Sequence, residues 1–314
     1  VRGLSIKILV ITLLILPGIH SVDCQSNQPA GNYDLPVILG YSSIVFRDSK
    51  PQDANAAILV WTEELRRKLY LDFRQKIDLS PYIFYSFQEI KSALDEDKVD
   101  ILALSTPEYF ALKDRYNLLP AVAGIVDDAP YSQYVLLVRK ASGFTNINDL
   151  YKKTLSQPSD MYHPLIKMWV GSILGKNFRA NKDTFFEKIN AEEKESNAVY
   201  SVFFNKTDCA IVQKDVFKTL CSLNPQISNS LKIIETSPEL ISLINVYRKK
   251  SESRVKEILS WLANNIHKSA EGQNIVKLFK VKRLVEITDK ELVSTKKLID
   301  EYNKNIYKSN KPAK

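Results

Sequence analysis

The sequence predicts an α/β protein of two lobes, each a mixed, mostly parallel sheet flanked by helices. Three observations carry this. The chain has 314 residues, more than one hydrophobic core usually organises. It is 45% hydrophobic and 25% charged, which is globular and excludes collagen-like, coiled-coil and wholly disordered classes. Short apolar runs also alternate with segments of helical periodicity, the pattern of repeated βα units and doubly wound sheets.

The elements follow in chain order. Leu35–Tyr41 reads as a strand running into a Ser42-Ser43 turn. Asp53 is placed to cap a helix with the apolar stripe Ile58, Trp61, Leu65 and Leu69. Tyr82–Tyr85 is a short aromatic strand, and Ser86 with Glu89 makes a capping box for the helix carrying Ile90 and Leu94. Val99–Leu104 is a buried strand, and Thr106-Pro107 an N-cap followed by proline. Leu118–Val126 and Tyr134–Val138 are strands, and Asn146–Leu150 is a short capped turn.

Leu155–Gln157 starts the next unit, and Leu165, Met168, Trp169 and Ile173 share one helix face. Ala198–Phe204 and Phe217–Leu220 read as helices around a Cys209–Val212 strand. Leu231–Ile234 and Leu240–Val246 are strands. Val255, Ile258, Leu259, Leu262 and Ile266 follow the i, i+3, i+4, i+7 pattern. Thr288 and Glu291 form another capping box before Leu292, Leu298 and Tyr302.

Ahead of the first strand lies a processing signal. Arg2 and Lys7 precede the apolar run Ile8–Leu16, which is too short to span a bilayer comfortably and is broken by Pro17 and Gly18. Residues 1–24 therefore read as a signal peptide, cleaved between Ser21 and Gln25; an uncleaved anchor is the alternative. A lipid on Cys24 would need an aliphatic residue three positions earlier and a small one just before; Ser21 and Asp23 stand there instead. Cys209 and Cys221 remain. Export permits a bridge between them, because a strand and its following helix run antiparallel; two buried free thiols are the other reading.

The chain carries 44 Lys and Arg against 36 Asp and Glu, a net charge of +8. That excess attracts anionic partners or reflects a lysine-rich solvated surface. Catalytic chemistry finds little support. His20, His163 and His267 are isolated, so no zinc site is expected, and no nucleophile-elbow, zinc-protease or phosphate-loop motif occurs. Asp127 and Asp128 are adjacent, and neighbouring side chains point apart. No basic stripe interleaved with aromatics suggests nucleic acid. The sequence thus predicts no enzyme, no cofactor and no metal.

What recurs is a strand ending in hydroxyl residues that open a helix: Ser42-Ser43, Ser105-Thr106, and Ser156 with Ser159 and Asp160 beyond. Helix N-termini present unpaired N–H groups and hold anions, and ligands of open α/β sheets sit at strand carboxyl ends. Taken singly, each hydroxyl is equally an N-cap. Together they predict a small anionic ligand, walled by Tyr109 and Tyr131, which also read as core.

The segments VDILALSTPEYFAL from Val99, YVLLVRKASGFTNINDL from Tyr134 and VFFNKTDCAIVQKDVF from Val202 resemble the phosphonate/phosphate-type family of periplasmic solute-binding proteins. So do Leu223–Pro238 and Gly272-Gln273 before Leu278-Phe279. The resemblance implies a type II periplasmic-binding fold. Lobe one would take residues 35–130 and 236–303, lobe two 131–235, and residues 304–314 would be a frayed tail. The lobes would close like a hinge at crossovers near Asp128–Tyr134 and Leu231–Thr236. It also implies a monomeric periplasmic receptor that delivers an oxyanion to an ABC permease in the inner membrane; a ligand sensor or partner-binding protein of the same fold is the alternative.

One departure matters. Phosphonate binders carry a hydroxyl-rich tripeptide plus glycine at the lobe-two helix, where this chain reads Ser156-Gln157-Pro158-Ser159-Asp160-Met161. Asp160 repels a doubly charged phosphonate unless it pairs with an amine on the ligand.

Overall fold

The computed structural model describes residues 35–46, 50–126, 128–161, 163–177 and 182–309. The expected signal peptide, Cys24 and Asp127 lie outside them. The strands are β1 (Leu35–Ser42), β2 (Ile77–Phe84), β3 (Ile101–Ser105), β4 (Leu118–Ile125), β5 (Tyr134–Arg139) and β6 (Thr154–Pro158), then β7 (Lys188–Glu192), β8 (Cys209–Gln213), β9 (Leu231–Thr236), β10 (Leu243–Arg248) and β11 (Arg283–Glu286). The helices are α1 (Pro51–Phe73), α2 (Phe87–Asp95), α3 (Thr106–Tyr116), α4 (Pro164–Asn177), α5 (Lys182–Phe185) and α6 (Glu195–Phe203), then α7 (Lys214–Leu223), α8 (Pro225–Ser230), α9 (Glu252–Asn265), α10 (Ala270–Leu278) and α11 (Val293–Ser309).

The strands form two sheets. The first has the order β11-β4-β10-β3-β1-β2 and the second β7-β6-β8-β5-β9. Strands β1, β2 and β3 run parallel, while β10 is antiparallel to both β3 and β4. In the second sheet β6, β7 and β8 are parallel and β5 is antiparallel to β8 and β9. Each sheet is therefore mixed, with the longer βα runs supplying the parallel part.

Both faces of each sheet are covered. One face of the first sheet packs Val37, Leu39 and Ile101 against Ile58, Leu65 and Leu69 of α1 and Val255, Ile258 and Leu262 of α9. The other packs Leu102, Leu104 and Val246 against Ile90 and Leu94 of α2 and Leu112 of α3. The second sheet buries Leu136 and Ile211 under α4, and Val135, Leu137 and Val212 under α6 and α7. A strand buried on both faces reads as a continuous apolar run, as ILAL and YVLLV do.

Several local expectations change. Helix α1 opens at Pro51, with Lys50 as its N-cap, not at Asp53. Proline at the first helical position forfeits no hydrogen bond, so Asp53 falls in the first turn, where its charge suits the dipole. Helix α3 is capped by Ser105 instead of Thr106. The Thr288–Glu291 box forms, at 2.6 and 2.8 Å, but closes the turn before α11, which begins at Val293.

Two chain crossings join the sheets, between β4 and β5 and between β9 and β10. The second was expected at Leu231–Thr236; that segment is strand β9, held by five residue pairs with β5, and the crossing lies at residues 237–242. The crossings meet in a reciprocal bridge: Ser132 N–H donates to Leu240 O at 2.8 Å, and Leu240 N–H to Ser132 O at 2.9 Å.

The C-terminal helix also departs from expectation. It packs against α4, with Leu298 and Ile299 inside the core of the second sheet. Gly171 and Gly175 of α4 let it approach: a Cβ at Gly171 would lie 2.5 Å from the Tyr302 ring, and one at Gly175 2.6 Å from Asn305. The helix continues to Ser309, so the tail expected to fray from residue 304 is helical for its first six residues.

Cys209 and Cys221 are free thiols. Cys209 is fully buried at the start of β8, where burial pushes its thiol well up.

Candidate ligand-binding site

Register fixes which strand ends come together. In the first sheet Ser105, the last residue of β3, pairs with Leu243, the first of β10, and Tyr41 near the end of β1 pairs with Ala103. In the second, Tyr134 at the start of β5 pairs with Gln213 at the end of β8, and Val135 with Thr236 at the end of β9. Both crossings therefore leave and enter the sheets at the carboxyl ends of the parallel strands, where the hydroxyl residues sit.

At the first sheet the hydroxyls converge on one carboxylate. Glu108 Oε2 accepts from the Ser105 N–H and from Ser105 Oγ, both at 2.8 Å, and Glu108 Oε1 accepts from Ser42 Oγ at 2.8 Å. Ser105 Oγ in turn accepts from the Glu108 N–H at 3.4 Å, completing the capping box. The spacing Ser105-x-x-Glu108 is a capping-box signal that the reading of Thr106 as the N-cap missed. The first turn of α3 thus holds a carboxylate of its own where an external anion would sit.

Thr106 is committed elsewhere. Its hydroxyl donates to Ile241 O at 2.8 Å and its N–H to Ser242 O at 3.0 Å, tying α3 to the second crossing. Tyr109 is fully buried, and its hydroxyl donates to Asp289 Oδ1 at 3.0 Å, with Lys113 Nζ 2.9 Å from the same oxygen. Burial first, and Asp289 second, push its hydroxyl pKa up. Tyr109 is a core residue of the α3 layer. Tyr131 is half-buried in the first crossing and packs against the same core, and Ser43 opens a 3-10 turn, Ser43–Phe46.

At the second sheet Ser156 is fully buried in the middle of β6 and opens no helix. Parallel pairing sets Pro158 beside Glu192, and Ser156 Oγ donates to Glu192 Oε1 at 2.8 Å. Ser201 Oγ adds a second donor to that oxygen at 3.3 Å. Residues Ser159–His163 intervene before α4 opens at Pro164. Within that loop Ser159 Oγ accepts from the Met161 N–H at 3.3 Å, so it caps a turn. Asp160 accepts from Gln157 Nε2 at 2.7 Å and pairs with the buried ammonium of Lys182.

The structure thus joins Ser42, Ser105 and Glu108 at one sheet, and at the other joins Ser156 with Glu192 and, separately, Gln157 with Asp160. It adds residues that sequence reading passed over. Gln157 is buried with its Oε1 unpartnered. His163 is buried 4.0 Å from Glu195 Oε1, and Glu195 Oε2 accepts from the Gln213 N–H at 2.5 Å. Among the described residues no group of three or more His, Cys, Asp or Glu side chains is arranged to hold a metal, and no helix is long and apolar enough to cross a membrane.

Comparison with known proteins agrees with this architecture. A family model described as "ABC transporter, phosphonate, periplasmic substrate-binding protein" matches residues 44–292. No curated protein sequence matches significantly. The fold is similar to a binding protein component of an ABC phosphonate transporter from Pseudomonas aeruginosa, at 15% identity, TM-score 0.59, and coverage of 89% of this chain and 90% of that one. It is also similar to PhnD1 from Prochlorococcus marinus in complex with methylphosphonate, at 13% identity, TM-score 0.57, and coverage of 86% and 98%. A Xanthomonas citri protein bound to ATP aligns at 13% identity, TM-score 0.61, and coverage of 87% and 98%. The family match spans well over half of the sequence, and on that ground the chain belongs to the phosphonate-type periplasmic substrate-binding proteins of ABC transporters.

Proposed function

We propose that this protein is the receptor of an ABC importer, and that its ligand is a small oxyanion carrying an amine. The ligand sits between the strand ends of two lobes. Lobe one is built on the first sheet and lobe two on the second, with α11 riding on lobe two. The lobes close about the paired crossings at Ser132 and Leu240. An oxyanion meets the remaining donors, the Ser43 and Tyr131 hydroxyls and backbone N–H groups. Glu108 and Glu192 meet the amine, Asp160 being paired with Lys182, because a bare dianion beside those two carboxylates is repelled. The receptor works in the periplasm as a monomer and delivers its cargo to a membrane permease.

What supports this reading is that Ser42 and Ser105 bond to Glu108 at the crossing end of the first sheet, and Ser156 bonds to Glu192 near the crossing end of the second. A melting-point screen of phosphate, sulfate, alkylphosphonates, aminoalkylphosphonates, amino acids and sugars tests it. A ligand that binds only the folded state stabilises it by about 2.7 kcal/mol at a hundredfold excess over Kd. Short aminoalkylphosphonates should raise the melting point more than any unaminated oxyanion. A shift confined to neutral sugars contradicts the proposal.

A further inference from the structure

A second concave site lies at the opposite end of the first sheet. Strand β10 runs antiparallel to β3, so Leu243 sits beside Ser105 while Tyr247 sits beside Ile101, at the far end. Arg248 pairs with Leu118, the first residue of β4. Five residues of extended chain set Arg248 about 17 Å from the crossing end of the sheet. There Arg115, Tyr116 and Asn117 from the end of α3 meet Arg248, Lys249 and Lys250 around a recess of about 470 Å³.

The recess is built as well as basic. The Lys249 N–H donates to Asn117 O at 3.0 Å, joining its two walls. Arg248 is 9% exposed, its Nη1 donates to Leu94 O at 3.0 Å, and its Nε is buried without a partner. Held by Leu94 O and by Asp97, the guanidinium is a fixed positive charge in the wall of the recess. Four cations line the recess, against two paired carboxylates. Arg115 lies 3.1 Å from Asp95, Arg248 lies 2.7 Å from Asp97, and Lys250 also pairs with Asp97. The hydrogen bond from Lys250 and the charge of Arg248 hold the Asp97 carboxyl below its usual range, which reflects the positive potential there.

We infer that this recess is a second anion site, distinct from the interlobe ligand site, and that it takes a phosphate group. The exposed Arg115 offers a planar N–H fork suited to phosphate oxygens, Lys249 and Lys250 supply mobile charge at the rim, and the buried Arg248 adds a fixed positive charge behind them. The phosphate is carried either by a soluble molecule or by the headgroup of an anionic lipid.

The test is residue-resolved amide NMR of the full chain titrated with inorganic phosphate, with chloride at equal ionic strength as control. The inference expects saturable shifts at Asn117, Lys249 and Lys250. The exposed double variant Lys249→Ala/Lys250→Ala should weaken them at least tenfold and keep the wild-type melting point. Shifts at the crossing ends report the interlobe site separately, so either site can fail alone. No saturable change at these three amides, a change matched by chloride, or one untouched by the double variant overturns the inference. Co-sedimentation with phosphatidylglycerol vesicles, but not phosphatidylcholine vesicles, and its loss in the double variant would assign the phosphate to a lipid. Phosphate binding without vesicle binding would assign it to a soluble molecule.

Discussion

Ser42 donates its hydroxyl to Glu108 at 2.8 Å, and through that bond the end of β1 is fastened to the first turn of α3. The same carboxylate accepts the Ser105 N–H and hydroxyl. One side chain therefore holds two strand ends and a helix N-terminus at the edge where ligand is proposed to bind.

Glu108→Ala should accordingly destabilise the protein. It leaves three donors without their acceptor and removes the capping box, a loss of about 1–3 kcal/mol. In a chain of this size that lowers the melting point by a few degrees. Glu108→Gln keeps one acceptor oxygen and should lose less. Equal melting points for wild type and Glu108→Ala, by calorimetry, would show that the carboxylate is not holding this junction.

Gly171 of α4 lies directly under the Tyr302 ring of α11. A Cβ there meets the Tyr302 ring at 2.5 Å. Gly171→Ala gains helix propensity but overpacks the contact, which typically costs about 1–3 kcal/mol. Limited proteolysis should then cut α11 from the body sooner than in wild type. Pairing the change with Tyr302→Ala should relieve the clash, though the lost ring has its own cost. Faster cutting unrelieved by that second change would locate the defect elsewhere.

The two thiols should differ in reactivity. Cys221 is partly exposed, while Cys209 is fully buried and its thiol is pushed up by burial. Mass spectrometry after native alkylation should find Cys221 labelled and Cys209 untouched; unfolding without reductant should expose Cys209. Failure of either thiol to label after unfolding would reveal a disulfide.

Acid should erode stability. Backbone and side-chain hydrogen bonds from Thr145 and Asn146 lower the Asp149 carboxyl, and bonds from Thr288 lower Glu291. A carboxyl with a depressed folded-state pKa contributes stability above its unfolded value, about 3.9 for Asp and 4.3 for Glu, and loses it as pH falls through the folded value. Denaturant midpoints should be flat from neutral pH to about 5 and drop below about 4. In Asp149→Asn that drop should be shallower, and an unchanged profile would remove Asp149 from the account.

Much of the architecture was legible because doubly buried strands are continuous apolar runs and helix starts carry side-chain signals. Ser86 caps α2 by accepting the Glu89 N–H, although the Glu89 carboxylate takes the Tyr85 N–H and not that of Ser86, and the capped turn at Asn146 closes as a full box with Asp149. Of the four edge strands, β2 and β9 were legible in part and β7 and β11 were not. β7 reads KINAE and β11 RLVE, each with charges at its ends and at the margin of its sheet. The role of Glu192 was hidden for another reason: only the parallel register of β6 and β7 brings it to Ser156, thirty-six residues away. Ser156 was misread as a helix-opening hydroxyl because nothing local shows that five residues separate β6 from α4. The attachment of α11 to α4 depends on Gly171 and Gly175 meeting Tyr302 and Asn305, a pairing no local pattern encodes.

The central claim is that the two sheets belong to lobes that close on an aminated oxyanion. Small-angle X-ray scattering with and without a saturating short aminoalkylphosphonate tests it most directly. The radius of gyration should fall on binding, at unchanged mass, and Glu192→Gln should require more ligand to reach the compact state. A radius unchanged by any ligand that demonstrably binds, or compaction driven equally by bare sulfate in wild type and variant, would contradict it.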